Sequence, residues 1–244
     1  MNKLTFLSVV LLSASEIQAQ TTAYQFKTTD GNFWKMSSLT LSDKVPGKAQ
    51  VVIRSSQPQQ TFLGWGTCFN ELPWDAYNLL SDNDKQLLVK RMFNPYGDLR
   101  LQKGRLSAGA NDYAREWYSC DEIDVNETDF EMEHFNIDRD LTTIIPSIKL
   151  ALAENPEIDF FCSPWSPPTW MKTNKHYAQR KTNTNGCPFN VPPYFNDQFI
   201  DDPRYYKAYC LYFDKFINAY KEQGINITSL AYQNEAYSNT PYPG

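Results

Sequence analysis

Residues 202–235 read DPRYYKAYCLYFDKFINAYKEQGINITSLAYQNE, and this stretch decides the fold. Asp202 is a helix N-cap followed by Pro203 at the first helical position, where a missing N–H leaves no partner unsatisfied. Tyr206, Tyr209, Phe213, Phe216, Ile217 and Tyr220 then recur at helical spacing on one face, and Gly224 closes the helix. Ile227 to Tyr232 follows as a strand. Directly beyond it stand Gln233, Asn234 and Glu235, where a plain connection needs only turn residues. A helix feeding a strand that ends in an amide and a carboxylate is the unit of a parallel α/β fold with its chemistry at the strand end.

The same rhythm runs backwards along the chain. Phe62 to Phe69, Leu99 to Leu106 and Ile158 to Cys162 read as three earlier strands, the last with the continuous apolar character of a strand buried on both faces. Ser81 and Asp84 open a helix carrying Leu87, Leu88, Val89 and Met92. Ile137, Leu141, Ile144, Ile145, Ile148 and Leu152 form a second apolar stripe, which Pro146 kinks or starts afresh. A Pro- and Asn-rich loop fills 163–201. Each strand end carries polar or aromatic residues: Phe69-Asn70-Glu71, Gly109-Ala110-Asn111-Asp112, Ser163-Pro164-Trp165 and Gln233-Asn234-Glu235. Upstream, Tyr24 to Ser55 reads as β, with turns at Asp30-Gly31 and Pro46-Gly47 and an apolar run within Ala49–Arg54.

The chain holds 244 residues, close to the roughly 250 of a complete (β/α)8 barrel. Lys and Arg number 23 against 28 Asp and Glu, so the net charge is 23 − 28 = −5. An acidic chain is a poor ligand for phosphate backbones, and nucleic acid is not an expected partner. Lys3 followed by the apolar run Leu4–Ala14 and a small-residue site at Ala19 reads as a signal peptide, predicting export to a periplasm or the exterior. No later stretch has the length and apolarity of a membrane span. Five widely spaced cysteines and two isolated histidines carry no metal signature, and no cofactor is expected. Cys68 and Cys162 read as buried thiols; one disulfide involving Cys120 or Cys187 is open to the sequence. Phosphate-loop, dinucleotide and serine-hydrolase signatures are absent.

Glu235 is the first candidate for chemistry, because a carboxyl partly desolvated at a strand end can hold a proton near neutral pH. Asn234 beside it can hold a hydroxyl or orient a second acid. Asp112 follows the small residues Gly109 and Ala110 and can accept from two vicinal hydroxyls. Trp165 and Trp170 bracket Ser166-Pro167-Pro168-Thr169, a stiff loop able to present an indole to a sugar ring.

Taken in order, Gly64-Trp65-Gly66-Thr67, then Gly104-Arg105-Leu106-Ser107 with Asn111-Asp112-Tyr113, then Ser163-Pro164-Trp165-Ser166-Pro167-Pro168-Thr169-Trp170-Met171-Lys172-Thr173-Asn174, and Gln233-Asn234-Glu235 resemble glycoside hydrolase family 30, the glucosylceramidase-like family. The resemblance implies a (β/α)8 TIM barrel with a side β-sandwich, and a retaining β-glycosidase of glucosylceramidase, β-glucosidase or β-1,6-glucanase type. It implies Glu235 as acid/base and Asp112, Trp165 and Asn234 as substrate-binding residues. The implied partners are β-linked oligosaccharides, glucans or glycolipids. The expected organisation is a signal peptide at 1–19, part of the side β-domain at 20–58 and the front half of the barrel at 59–244. The family's nucleophile belongs at the end of strand seven; only four strand–helix units are counted, so no second glutamate is assigned. The alternative reading is a non-catalytic carbohydrate-binding remnant or inactive fragment.

Overall fold

A computed structural model describes residues 23–39, 47, 52, 54, 56–188, 198–235, 238 and 240–244. The expected signal peptide lies outside them, as does most of the Ala49–Arg54 run. The chain divides into two compact units, Met1–Thr61 and Phe62–Gly244.

The described residues of the first unit include an antiparallel hairpin, β1 (Ala23–Thr29) and β2 (Asn32–Leu39). Its turn is Asp30-Gly31, and Gly31 supplies the positive φ of 68° that the reversal requires. Tyr24 pairs with Ser38 and Phe26 with Met36. The two-residue period of the strands therefore sets Tyr24, Phe26 and Met36 on one face, all exposed.

The second unit alternates strands and helices: β3 (Gly66–Cys68), α1 (Glu71–Asn78), α2 (Asp82–Phe93), β4 (Lys103–Ser107), α3 (Asp138–Thr142), α4 (Ile144–Glu154), β5 (Asp159–Ser163), α5 (Pro203–Glu222) and β6 (Ile227–Leu230). The four strands pair in parallel in the order β3-β4-β5-β6, the sequential order of a barrel wall. Gly104 lets this wall close up. A Cβ there would stand 2.4 Å from the Phe160 ring, so only glycine accommodates the aromatic layer of Phe69, Phe93 and Phe160.

Local chemistry sets the helix ends. The Ser81 hydroxyl accepts from the Asp84 N–H to cap α2, and Asp202 accepts from the Arg204 N–H to cap α5. The stripe at 137–152 breaks at Thr143 (φ −126°, ψ −78°), and Pro146 falls in the first turn of α4, where no intrahelical N–H is needed. Leu106, Ile144, Ile145, Ile148, Phe160, Phe216 and Tyr220 fill the layer between sheet and helices. Each large side chain stabilises the fold by about 1.5–3 kcal/mol on burial.

Several expectations need correction. The first strand shrinks to three residues, leaving Phe62, Leu63 and Trp65 as exposed coil. Phe161 alternates out of the core between buried Phe160 and Cys162, so β5 is not covered on both faces. Tyr206 is exposed on α5; Tyr212 takes the core position the pattern missed. No disulfide joins the cysteines: Cys120, Cys162 and Cys187 are buried thiols, while Cys68 is exposed on the short outer strand β3.

One buried acid ties the helical layer together. Asp140, at the heart of α3, accepts from the Tyr118 hydroxyl at 2.7 Å and from the Tyr220 hydroxyl of α5 at 2.8 Å. Burial pushes its carboxyl up to about 6, although both tyrosines pull the other way. An acid whose pKa is raised by folding contributes most stability when protonated, and that contribution fades as pH rises from about 4 to about 6. Asp140→Asn should therefore flatten the fall in stability across this interval, in chemical denaturation run at several pH values. Equal pH slopes in the two proteins would contradict the assignment.

Candidate active site

The C-terminal ends of the parallel strands converge on Arg105, the third residue of β4. Its guanidinium donates to the Ser163 hydroxyl at the end of β5 (Nη2 at 2.9 Å) and to the Asn234 side-chain oxygen beyond β6 (2.5 Å). The same group lies 4.3 Å from the centre of the Trp165 ring. A charged residue in a strand whose neighbours are Gly104, Leu106 and Ser107 needs such partners, because an unpaired charge at this depth is costly.

The backbone sets the rest. The Asn234 N–H donates to the Pro164 carbonyl at 2.8 Å, and the Gln233 amide donates to the Trp165 carbonyl at 2.5 Å. These bonds lock the chain after β6 against the chain after β5. Glu235 follows with φ +48°, a left-handed conformation that a non-glycine residue adopts at a cost of about 1 kcal/mol. Its side chain is exposed. With the Asn234 oxygen on Arg105, its NH2 group remains as a donor.

Asp112 completes the cluster. Asn111 forms an Asx turn to the Tyr113 N–H at 2.7 Å, and its own amide donates to Asn70 at the end of β3, also at 2.7 Å. The exposed Asp112 carboxyl lies within electrostatic reach of Glu235, Arg105 and the Trp165 indole. Partial burial raises its pKa first and the Glu235 charge second, against the lowering effect of Arg105 and the indole. The structure thus brings Asp112, Trp165, Asn234 and Glu235 together.

Sequence reasoning missed Arg105 and Ser163 as parts of this site. The signal was present: an arginine inside a small-residue strand is unexpected unless it has a polar destination. Trp165 is buried, and Arg105 covers one of its faces, so only the remainder of the indole is open to a ligand. Trp170 is a core residue, fully buried, with its indole N–H on Asp121 at 2.9 Å. Glu71 is also structural: it is buried and takes two bonds from Arg139 at 2.7 and 2.9 Å. Among the described residues no group of three or more His, Cys, Asp or Glu side chains could hold a metal ion. No helix among them is long and apolar enough to cross a membrane.

Four parallel strands in sequential order, with polar and aromatic residues gathered at their C-terminal ends, are the wall and site face of a β/α barrel. The family model described as the glycosyl hydrolase family 30 TIM-barrel domain matches residues 62–241, and the chain belongs to this family. A Caenorhabditis elegans protein named as a candidate glucosylceramidase is 30% identical over 190 residues, covering 78% of this chain and 33% of that protein. An endo-1,6-β-D-glucanase of Aspergillus fumigatus is 28% identical, covering 78% of this chain and 38% of its own. The solved structure of an endo-β-1,6-glucanase superposes with a TM-score of 0.61 at 26% identity, covering 78% of this chain and 38% of that one. The chain therefore spans between a third and two fifths of the length of these relatives.

Arg105→Met removes the cation while keeping an unbranched stem. It should raise the carboxyl pKa of Asp112, since Arg105 is one of the groups holding it down. Stability should fall by only about 1 kcal/mol. A carbon-13 titration of the Asp112 carboxyl checks this; an unmoved or lowered pKa would show that Arg105 does not set the potential of the site.

Proposed function

We propose that this chain carries the acid/base half of a retaining β-glycosidase site, with Glu235 as the proton donor and acceptor. The observation that supports this reading most is the convergence of Asp112, Trp165, Asn234 and Glu235 on Arg105 at the strand ends of a family 30 barrel domain. Glu235 protonates the departing glycosidic oxygen and later takes a proton from water. The Asn234 NH2 donates to a hydroxyl of the sugar beside the reacting carbon. Asp112 accepts from two further hydroxyls, and the open part of the Trp165 indole packs against the ring.

Double displacement also requires a nucleophilic carboxylate about 5–5.5 Å from the acid/base. In this reading it comes from strand seven, beyond the four strands described, and residues 20–58 belong to a side β-sandwich. The names of the relatives favour β-glucosides, glucosylceramide-type lipids or β-1,6-glucans as substrates, and an N-terminal signal peptide directs export.

The 244-residue chain by itself should bind methyl β-D-glucoside with a Kd on the order of millimolar. It should not release nitrophenol from 4-nitrophenyl β-glucoside. Glu235→Gln should leave the binding within about twofold, because the loss is a proton-transfer group rather than a hydroxyl ligand. Turnover by the wild-type chain that vanishes in Glu235→Gln would overturn the placement of the nucleophile; absence of binding would overturn the sugar site itself.

A further inference from the structure

The first turn of α1 is bonded to another loop rather than to itself. Asn70 stands at the N-cap, where an asparagine oxygen ordinarily accepts from the N–H two or three positions on. That bond is not made. Pro73 has no N–H to give, and the Leu72 N–H donates to the Tyr113 carbonyl at 3.0 Å. The Asn70 side-chain oxygen accepts instead from the Asn111 amide at 2.7 Å. Between them Glu71, 1% exposed, accepts from the Arg115 N–H at 2.8 Å, on the same oxygen that takes a bond from Arg139 Nη2.

Three consecutive residues, 70 to 72, thus hold positions 111, 113 and 115 of the loop after β4. Asp112 sits inside that grip with its own carboxyl exposed. The base of the loop is closed separately: the Ala110 N–H donates to the Tyr118 carbonyl at 2.8 Å. The Arg139 guanidinium that backs Glu71 lies 4.4 Å from the centre of the Tyr118 ring, so α3 braces the same loop. Asn70, Glu71 and Asn111 are all buried, and losing one partner would leave a polar group unpaired out of reach of water. The ion pair of Arg115 with Asp75 lies outside this grip, is exposed, and contributes little.

We infer that Asn70 and Glu71 are positioning residues for Asp112: their side chains fix the backbone on both sides of it, and Asn70 forgoes the cap of α1 to do so. That the held carboxylate meets a sugar rests on the function proposed above; the grip itself does not. Position matters because Asp112 feels Glu235, Arg105 and the Trp165 indole together, and a shifted loop alters all three. Partial burial and the Glu235 charge hold its carboxyl above the ordinary range. A loosened loop lets it return towards that range.

The test compares the full chain with four variants. Asn70→Leu removes the acceptor at nearly constant volume and changes no charge, so its effect on the Asp112 titration reads position alone. The Asp112 pKa, followed by carbon-13 resonance, should fall. Exchange of the Tyr113 and Arg115 amides, neither of which bonds Asn70, should quicken by about tenfold, the worth of one hydrogen bond, while β4 and β5 keep their protection. Affinity for phenyl β-thioglucoside, read by calorimetry, should drop. Asn70→Asp keeps an oxygen for Asn111 and should hold the wild-type exchange rates. Glu71→Gln leaves one oxygen for three donors and should quicken exchange at Tyr113, which it does not touch; this reading stands even if Asn70→Leu does not fold. Asp75→Asn frees only the Arg115 side chain and should change neither exchange nor affinity. A folded Asn70→Leu chain with unmoved Asp112 pKa and unmoved affinity, or loosening spread evenly through the sheet, would overturn the inference. A wild-type chain that binds no thioglucoside would defeat the sugar-site reading, while titration and exchange would still decide the roles of Asn70 and Glu71.

Discussion

Parallel pairing is the constraint from which the rest of the second unit follows. Leu106 lies opposite Cys162 and Ser107 opposite Ser163, with β3 and β6 extending the ladder on either side in the same direction. Strands that run the same way end on the same side, and the chain must return through a helix each time. One end of the sheet therefore receives the loops that follow all four strands. Asn70, Asp112, Trp165 and Glu235 arrive together because of strand direction, although 165 positions separate the first from the last.

Convergence alone would set two carboxylates side by side without a counter-charge. Arg105 resolves this. It stands on a central strand, reaches Ser163, Asn234 and Trp165, and offsets the mutual repulsion of Asp112 and Glu235. Lysine in its place would supply charge but not the planar fork that bonds Ser163 and Asn234 while lying over an indole. The site consequently has a rigid floor of Arg105, Ser163 and Asn234. Above it, Asp112 and Glu235 are solvent-exposed and able to meet a ligand.

Much of this was legible in the sequence, for physical reasons that differ by element. Helix α5 was readable end to end because Asp202, Pro203 and Gly224 act through local backbone chemistry. Strand β3 was not, because the apolar run Phe62–Phe69 looks the same whether its first half pairs or lies in coil. Phe161 was misread for a related reason: a continuous apolar run says that a strand is central, not that both of its faces are covered. The gathering of Asp112, Trp165, Asn234 and Glu235 was legible because polar and aromatic residues stand at strand ends where turns need none. Arg105 was hidden inside a strand, and its role depends on partners 58 and 129 residues away.

Three buried charges in this chain are satisfied in three different ways. Asp140 is satisfied by two tyrosine hydroxyls and sits among the helices, where protonation relieves it. Glu71 is satisfied by Arg139 and stays ionised, because the guanidinium offsets the cost of its burial. Lys172 is buried as deeply, and its ammonium donates to the Ser166 hydroxyl, the Tyr177 carbonyl and a backbone oxygen of Gly244. A hydrophobic residue of similar volume would fill that space with less desolvation cost. What the ammonium adds is direction: fixed bonds to Ser166 and Tyr177 that hold the loop after β5 in one shape.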